Sequence, residues 1–181
     1  MTRRVVFVLL VCGVLMSAAR NASAQGTEVG VSYANLTLIG SEGGENTTYP
    51  FGWIVALSGR IDPHIAVVGE INGNYHRESF GTTDLSSDIY TFLAGPRVLS
   101  VSGKMTFFGQ LLVGLSHSRI GATGFPSASD NGFAIQPGVG VDLSLAPRRA
   151  LRVQADVPFY RSEGNSSHAF RFGVGIVFDL Q

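Results

Sequence analysis

The sequence predicts an all-β fold, an eight-stranded antiparallel up-and-down transmembrane β-barrel, and three observations support it. Along residues 167–180, apolar side chains alternate with Arg171, Gly173 and Gly175. Because successive residues of a strand point to opposite faces, this segment has one face suited to lipid and one polar face. Seven segments of similar length precede it, and short turns alternate with longer polar connections between them.

The first 24 residues have the layout of a secretory signal peptide. A positively charged start is followed by an apolar stretch over residues 5–16 and by the small-residue cleavage site Ala22-Ser23-Ala24. We therefore expect residues 1–24 to be cleaved and residues 25–181 to form one outer-membrane β-barrel domain. Cys12, the only cysteine, would leave with the leader, so disulfides and thiolate sites are excluded from the mature domain.

Eight segments of the mature chain are long enough for the roughly nine to eleven residues of a tilted transmembrane strand. No interval shows helical periodicity, and none reaches the roughly 18 continuous apolar residues of a membrane-spanning helix. The 23 glycines are spread along the whole chain, which also disfavours helices. The predicted strands cover about residues 28–40, 50–61, 64–76, 88–99, 105–117, 132–145, 150–161 and 167–180.

The first five segments differ in how clearly they alternate. Segment 28–40 has no cleanly apolar face, whereas segment 50–61 sets apolar residues at 51, 53, 55, 57 and 61 against Ser58 and Arg60. The next three segments place Glu70, Arg97 and Gln110 on the polar face. That same face also carries four apolar residues, Val68, Leu93, Phe108 and Leu112.

The last three segments alternate without interruption. Segment 132–145 sets Phe133 and Val139 against Asp142, and segment 150–161 sets Val153 against Arg152. Segment 167–180 completes the ring in the same way. We expect the apolar faces of all eight segments to point away from the barrel axis.

The connections indicate the two ends of the barrel. Tight connections contain turn residues such as Asp62-Pro63, and they occur also at 100–104 and 146–149. The other connections are longer and polar, at 41–49, 77–87, 118–131 and 162–166. This pattern is typical of outer-membrane barrels, with short turns at the periplasmic end and long loops outside the cell.

Ionisable residues on the polar faces form a predicted lumen charge network. An eight-stranded barrel is just wide enough to be filled by side chains, and buried charges need partners. A mutually neutralising plug is therefore expected, with a thin hydrated conduit for ions or small solutes as the alternative. The network consists of Arg60, Glu70, Arg97, Asp142, Arg152, Asp156 and Arg171, with Glu28 and Asp179 as further candidates.

Aromatic residues gather near the strand ends that face the long loops. They could form a girdle at the membrane surface, where amphipathic rings settle at headgroup depth, or reflect the ordinary enrichment of aromatic residues in strands. The residues concerned are Tyr49, Phe51, Trp53, Tyr75, Tyr90, Phe159, Tyr160 and Phe170.

The end of the chain resembles a C-terminal assembly signal of outer-membrane barrels. Arg171-x-Gly173-x-x-Ile176-x-Phe178 follows the polar-x-Gly-x-x-hydrophobic-x-aromatic pattern, although three residues follow the final aromatic one. Segments 92–97, 107–110, 138–142 and 151–156 also resemble small bacterial barrels of the OmpA-like and OmpX-like group. The resemblance implies a Gram-negative outer-membrane location, insertion by the barrel-assembly machinery, and contact with membrane lipid and lipopolysaccharide.

Catalysis is the less favoured alternative. His117 lies between Ser116 and Ser118, and a barrel-type lipid-A deacylase also uses serine, histidine and an acid at its rim. Such a site requires the three groups to meet, with Glu70 or Glu78 as the acid. His64, His76, His117 and His168 are dispersed and lack paired metal-ligand spacing. We expect no enzyme activity, no metal site and no cofactor.

The overall charge excludes a nucleic-acid-binding role. The chain has 13 Lys+Arg and 13 Asp+Glu, and removal of the leader's arginines makes the mature domain slightly acidic, with no basic patch. We expect a monomer with a structural or surface-contact role through its long loops. A secreted lipocalin-like binder is a further alternative, but its apolar side chains would face inward around a ligand.

Overall fold

The computed structural model describes residues 26–40, 46–80, 83–122, 126–162 and 165–180. The predicted leader lies outside these residues. Among them, no helix is long and apolar enough to cross a membrane. The strands are β1 (Thr27–Ile39), β2 (Thr47–Asp62), β3 (Ile65–Phe80), β4 (Thr83–Ser102), β5 (Met105–Ala122), β6 (Ala128–Ala146), β7 (Arg149–Asp156), β8 (Phe159–Ser162) and β9 (Asn165–Asp179).

The strands form a closed antiparallel ring with eight strand positions. Each strand pairs with the next along the chain, and β1 closes the ring by pairing with β9 from Glu28↔Asp179 to Ile39↔His168. β7 and β8 share one position, because both lie between β6 and β9 and only Val157-Pro158 separates them. The predicted eight-stranded up-and-down topology is thus confirmed.

The break between β7 and β8 is small because backbone bonds continue across it. Pro158 has no N–H to donate, which interrupts a regular ladder. Val157 N nevertheless donates to Pro137 O at 2.9 Å, and Ala169 N donates to Pro158 O at 2.9 Å. The two short strands therefore act as one wall segment of the ring.

The tight connections define one end of the ring, which we call the turn end. Asp62 Oδ1 accepts bonds from the backbone N–H groups of His64 and Ile65, at 2.7 and 2.8 Å. Gly103 and Arg148 adopt positive φ values of 61° and 68° at the other two turns. The sequence predicted all three of these turns.

At the opposite end, which we call the loop end, the strands run further than predicted. The predicted loop 77–87 is mostly strand, since Arg77 pairs with Ser86 and β4 begins at Thr83. The predicted loop 118–131 is shortened in the same way, because β5 continues to Ala122 and β6 begins at Ala128. Backbone pairing does not require apolar side chains, so these polar hairpins continue beyond the apolar band.

The two faces of the ring follow the predicted alternation. Val139 is 62% exposed on the exterior, whereas Val68 and Leu112 are fully buried inside, as their position on the mostly polar faces predicts. Strand β1 has the least clear alternation in the sequence. In the structure its exposed Val31 alternates with the buried Ser32, so β1 has the same inward and outward faces as the other strands. Apolar side chains cover the exterior, and polar side chains converge on the lumen.

The predicted aromatic girdle is wrong for two of its members. Tyr49 is 4% exposed and points inward, because a bulge opposite Ala34/Leu36 adds one residue to β2 and reverses the alternation there. Tyr160 also points inward, since it follows the exterior residue Phe159 in a strand.

Other members of the girdle do lie on the exterior. Phe51, like Phe159, is exposed. Trp53 Nε1 donates to the Tyr75 hydroxyl at 3.0 Å, and the Tyr75 and Tyr90 rings meet edge to face at 5.9 Å between centroids. These side chains form a continuous aromatic contact near the loop end.

The close approach of β4 and β5 generates a test of the fold. A Cβ added at Gly95 would clash with the backbone carbonyl of Leu111, whereas one added at Gly109 would meet no heavy atom within 4 Å. Gly95→Ala should therefore lower the free energy of unfolding by about 1–3 kcal/mol. Gly109→Ala should change it by less than about 0.5 kcal/mol.

Urea unfolding in lipid, followed through the fluorescence of the single tryptophan Trp53, measures both values. Equal stability of the two variants would contradict the strand spacing described here.

Candidate functional site

A salt-bridged arginine crosses the lumen at its centre. Arg171 on β9 is fully buried, and its Nη2 donates to Glu70 Oε1 at 2.7 Å. Its Nε and Nη2 also donate to Asp156 Oδ2, at 3.0 and 2.8 Å. Asp156 lies on the neighbouring strand β7, but Glu70 lies on β3, three positions away around the ring. One guanidinium therefore joins opposite walls of the barrel.

Side-chain amides extend this contact around the lumen. Gln110 Nε2 donates to Asp156 Oδ1 at 3.2 Å, while Gln110 Oε1 accepts two bonds from Arg97, at 3.0 and 2.6 Å. Gln136 Nε2 donates to Glu70 Oε1 at 3.1 Å. Strands β3, β4, β5, β6, β7 and β9 thus contribute to one connected network.

We call this set the central network: Arg97, Glu70, Asp156 and Arg171 with the amide residues Asn72, Gln110, Gln136 and Gln154. The predicted set of site residues did not include the amides. Alternation places each of them on an inward face, which is the signal that could have added them.

The remaining predicted residues form a second group near the turn end. Arg152 makes a bidentate pair with Asp142, at 2.7 and 2.6 Å. Arg60 Nη2 lies 2.6 Å from Glu28 Oε1, and Arg152 Nη2 lies 3.9 Å from the other oxygen of Glu28. We call these four residues the turn-end network. Glu28, a further candidate in the sequence, thus belongs to it.

Phe108 connects the two networks. The guanidinium carbon of Arg97 lies 4.3 Å from the centre of the Phe108 ring, and that of Arg152 lies 4.8 Å from it. Cations bind favourably to the face of an aromatic ring, and more strongly where water is excluded. The Phe108 ring therefore attracts both guanidinium groups.

The charges balance within each network. Two arginines face two carboxylates in the central network, and two arginines face two carboxylates in the turn-end network. Buried charges are tolerated when each is paired and hydrogen-bonded. Glu70, Asp156 and Arg171 satisfy this condition directly, and Arg97 reaches Asp156 through Gln110.

Two apolar clusters fill the lumen beside the central network. One contains Ala56, Val68, Leu93, Leu112 and Ala134, and the other, toward the loop end, contains Leu36, Tyr49, Ile89 and Ala169. Tyr160 packs against both clusters. The second cluster lies on the loop-end side of the central network, whereas the first packs beside the network, with Val68 nearer the turn end than Glu70.

A cavity lies at each end of the lumen. The turn-end cavity, about 140 Å³, is lined by Arg60 and Asp142 among others. The loop-end cavity, about 240 Å³, is lined by Tyr49 and Tyr160 among others. Within the described part of the chain, Arg171 lines neither cavity, so the central network lies between them.

The residues of the catalytic alternative are not brought together. His117 is on the exterior, where its Nδ1 lies 2.9 Å from Asn131 Oδ1, whereas Ser116 and Ser118 line the loop-end cavity. Glu70 binds Arg171 in the central network, as described above. Across the described ranges, no group of three His, Cys, Asp or Glu residues is arranged to hold a metal ion.

The predicted assembly-signal residues all lie on β9, at the seam with β1. Arg171 belongs to the central network, and a Cβ on Gly173 would lie 3.2 Å from Gln154 and Ile54 side-chain atoms in the lumen. Ile176 and Phe178 are exposed on the exterior face. The same strand thus carries lumen contacts on one face and apolar residues on the other.

Comparisons with known proteins agree on one architecture. A family model described as "Outer membrane protein beta-barrel domain" matches residues 6–178. No curated protein matches the sequence. Neisserial surface protein A (NspA) has a similar structure, with 12% identity, a TM-score of 0.70, and coverage of 86% of this chain and 98% of that chain.

Two further structures resemble the chain. Ail, the attachment invasion locus protein of Yersinia pestis, has 16% identity and a TM-score of 0.55, covering 84% of this chain and 97% of that one. A major outer membrane protein from Thermus thermophilus has 13% identity and a TM-score of 0.57, covering 84% and 99%. At these identities the likeness shows the fold alone.

Removal of the central arginine tests the energetic role of the network. Arg171→Met leaves Glu70 and Asp156 buried without their cation, so we expect the free energy of unfolding to fall by about 3–5 kcal/mol. Arg161→Met, at an exposed exterior position, is the matched control and should have an effect below about 0.5 kcal/mol.

The double variant Glu70→Gln/Arg171→Met should be less destabilised than the sum of the two single variants, by about 0.5–3 kcal/mol. Urea unfolding in lipid measures the free energy of unfolding of Arg171→Met, Arg161→Met, Glu70→Gln and the double variant. Strict additivity would show that the Glu70–Arg171 contact does not stabilise the barrel.

Proposed function

We propose a function from the premise that the chain belongs to the outer membrane protein β-barrel domain family and is a protein of the bacterial outer membrane. It acts as a non-enzymatic barrel with a closed lumen, and its role is structural or depends on surface contact through its loop end. The observation that carries the proposal is the contact of Arg171 with both Glu70 and Asp156 across the lumen.

The central network supports a closed lumen rather than a pore. An ion crossing the barrel would have to separate Arg171 from its two carboxylates, and breaking a buried pair is costly because an uncompensated charge remains. The cluster of Leu36, Tyr49, Ile89 and Ala169 on the loop-end side adds a second barrier, because an ion is costly to place among mainly apolar side chains. The two end cavities are then blind recesses.

Lipid and lipopolysaccharide are the partners that fit the exterior. An apolar band surrounds the ring, and three exposed arginines lie beyond it toward the loop end: Arg77, Arg119 and Arg161. Guanidinium groups bind phosphate in a bidentate manner, so these arginines suit the phosphate groups of lipopolysaccharide. These contacts would anchor the barrel while the polar hairpins extend outward.

Assembly and oligomeric state follow from the same architecture. The β9 pattern of Arg171, Gly173, Ile176 and Phe178 suits recognition by the barrel-assembly machinery during insertion. The β1–β9 pairing leaves no unpaired sheet edge among the described strands, and open edges are what drive strand-to-strand association. We therefore propose a monomer that needs no nucleic acid, metal or cofactor partner.

Single-channel recording in planar bilayers tests lumen closure. The refolded wild-type protein should give no sustained current, whereas Glu70→Ala/Arg171→Ala should show intermittent openings because the cross-lumen contact is lost. Arg161→Ala, which keeps the network, is the control and should be silent. A steady, reproducible conductance of the wild type would replace this proposal with that of a narrow pore.

Lipid A analysis tests the non-enzymatic part of the proposal. Because His117 and the serines beside it face opposite sides of the wall, expression of the wild type should leave the lipid A mass spectrum of a host strain unchanged. His117→Ala should give the same spectrum. A mass change that depends on His117 would identify a lipid-modifying enzyme instead.

A further inference from the structure

We propose that the loop-end cavity binds a small amphiphile with a compact apolar body and a hydrogen-bond-donating head group, an alcohol or an ammonium. The site lies at the loop end of the lumen and is lined by residues of the second apolar cluster, and the central network separates it from the turn-end cavity. At about 240 Å³ it has room for one small molecule.

The inner part of the cavity suits an apolar body. Leu38, Tyr49, Ile89 and Tyr160 line it, and all four belong to or pack against the same buried cluster. The Tyr49 hydroxyl is already bonded to Ser87 Oγ at 2.9 Å, which leaves its ring as the contact surface. Apolar ligands bind where such side chains are held in place before the ligand arrives.

Serine hydroxyl groups surround this apolar floor. Ser116, Ser118 and Ser167 line the cavity, and each hydroxyl can both donate and accept a hydrogen bond. Ser116 is only 9% exposed, so this part of the cavity lining is largely shielded from solvent. A ligand head group that satisfies such a hydroxyl recovers a hydrogen bond that burial would otherwise cost.

The charge at the mouth decides which head group fits. Asp130 lies opposite Ser118 in the β5–β6 ladder and lines the same cavity, where its carboxylate accepts a hydrogen bond from the Ser162 hydroxyl. None of the described residues that line this cavity is basic. An alcohol can donate to Asp130, an ammonium can donate and also pair with its charge, and a carboxylate would be repelled.

Methyl NMR of the protein in lipid nanodiscs provides the test, with benzylamine, benzyl alcohol and benzoate as probes. Isoleucine δ1-methyl groups report on the site, because Ile89 and Ile120 line the cavity while Ile71 is exposed on the exterior wall. Benzylamine and benzyl alcohol should shift the Ile89 and Ile120 signals in a saturable manner. Ile71 should show only the small linear drift of a probe dissolved in the bilayer.

Two kinds of variant test the location and chemistry of the site. Ser118→Phe fills the cavity and should abolish the saturable shifts, whereas Ser100→Phe, at an exposed exterior position, should leave them unchanged. Ser116→Ala/Ser118→Ala keeps the space but removes two hydroxyls. It should weaken benzyl alcohol binding about three- to tenfold, as expected for the loss of one or two hydrogen bonds.

Heat-dependent gel mobility shows whether each variant is folded. If Ser118→Phe does not fold, the Ser116→Ala/Ser118→Ala variant still tests the site. Saturable shifts at Ile71, unchanged binding to folded Ser118→Phe, or benzoate binding as tight as benzylamine binding would each overturn the proposal. None of these outcomes bears on lumen closure, which is measured by conductance.

Discussion

The Arg171 guanidinium is the constraint on which the rest of the structure depends. It comes from the last strand, yet it binds a carboxylate 101 residues earlier in the chain as well as one on the neighbouring strand. To satisfy it, the ring must be closed and the strands must have the register that brings Glu70 and Asp156 to the same depth. The amides, Phe108 and the apolar clusters then fill the space that this contact leaves.

The inward position of the charged side chains and the exposure of apolar side chains on the exterior are two results of one alternation. Each strand that turns an ionisable residue inward turns its neighbours outward, so β9 carries Arg171 in the lumen and Phe170 and Phe172 on the exterior. In the membrane, such a wall gains stability from complete backbone pairing and loses nothing by facing lipid. The loop end differs, because pairing continues there beyond the apolar band.

Much of the fold could be predicted from alternation alone, since the period of a strand is a local property. Alternation predicts inward positions for Glu70, Arg97 and Arg152 and an outward position for Val139, and these positions do not depend on how the strands pair. What it could not predict is which inward residues meet. The Glu70–Arg171 contact depends on the stagger of strands around the ring, and a local pattern does not contain that stagger.

Other features escaped prediction for equally physical reasons. The bulge in β2 adds one residue, which turns Tyr49 inward against its expected place in the aromatic girdle. The hairpin beyond Arg77 is paired although it is polar, because backbone bonds form without apolar side chains. Gln110 contacts Asp156 and Gln136 contacts Glu70 across non-adjacent strands, so the inward position that alternation predicts for these amides does not identify their partners.

Hydrogen exchange of arginine side chains, followed by NMR in lipid nanodiscs, tests the central claim most directly. If Arg171 is bound to two carboxylates in a lumen closed to water, its Nε–H signal should persist long after transfer into D₂O, while that of the exposed Arg161 disappears at once. If the two signals decay at the same rate, water reaches the centre of the barrel and the account of a closed, charge-paired lumen is contradicted.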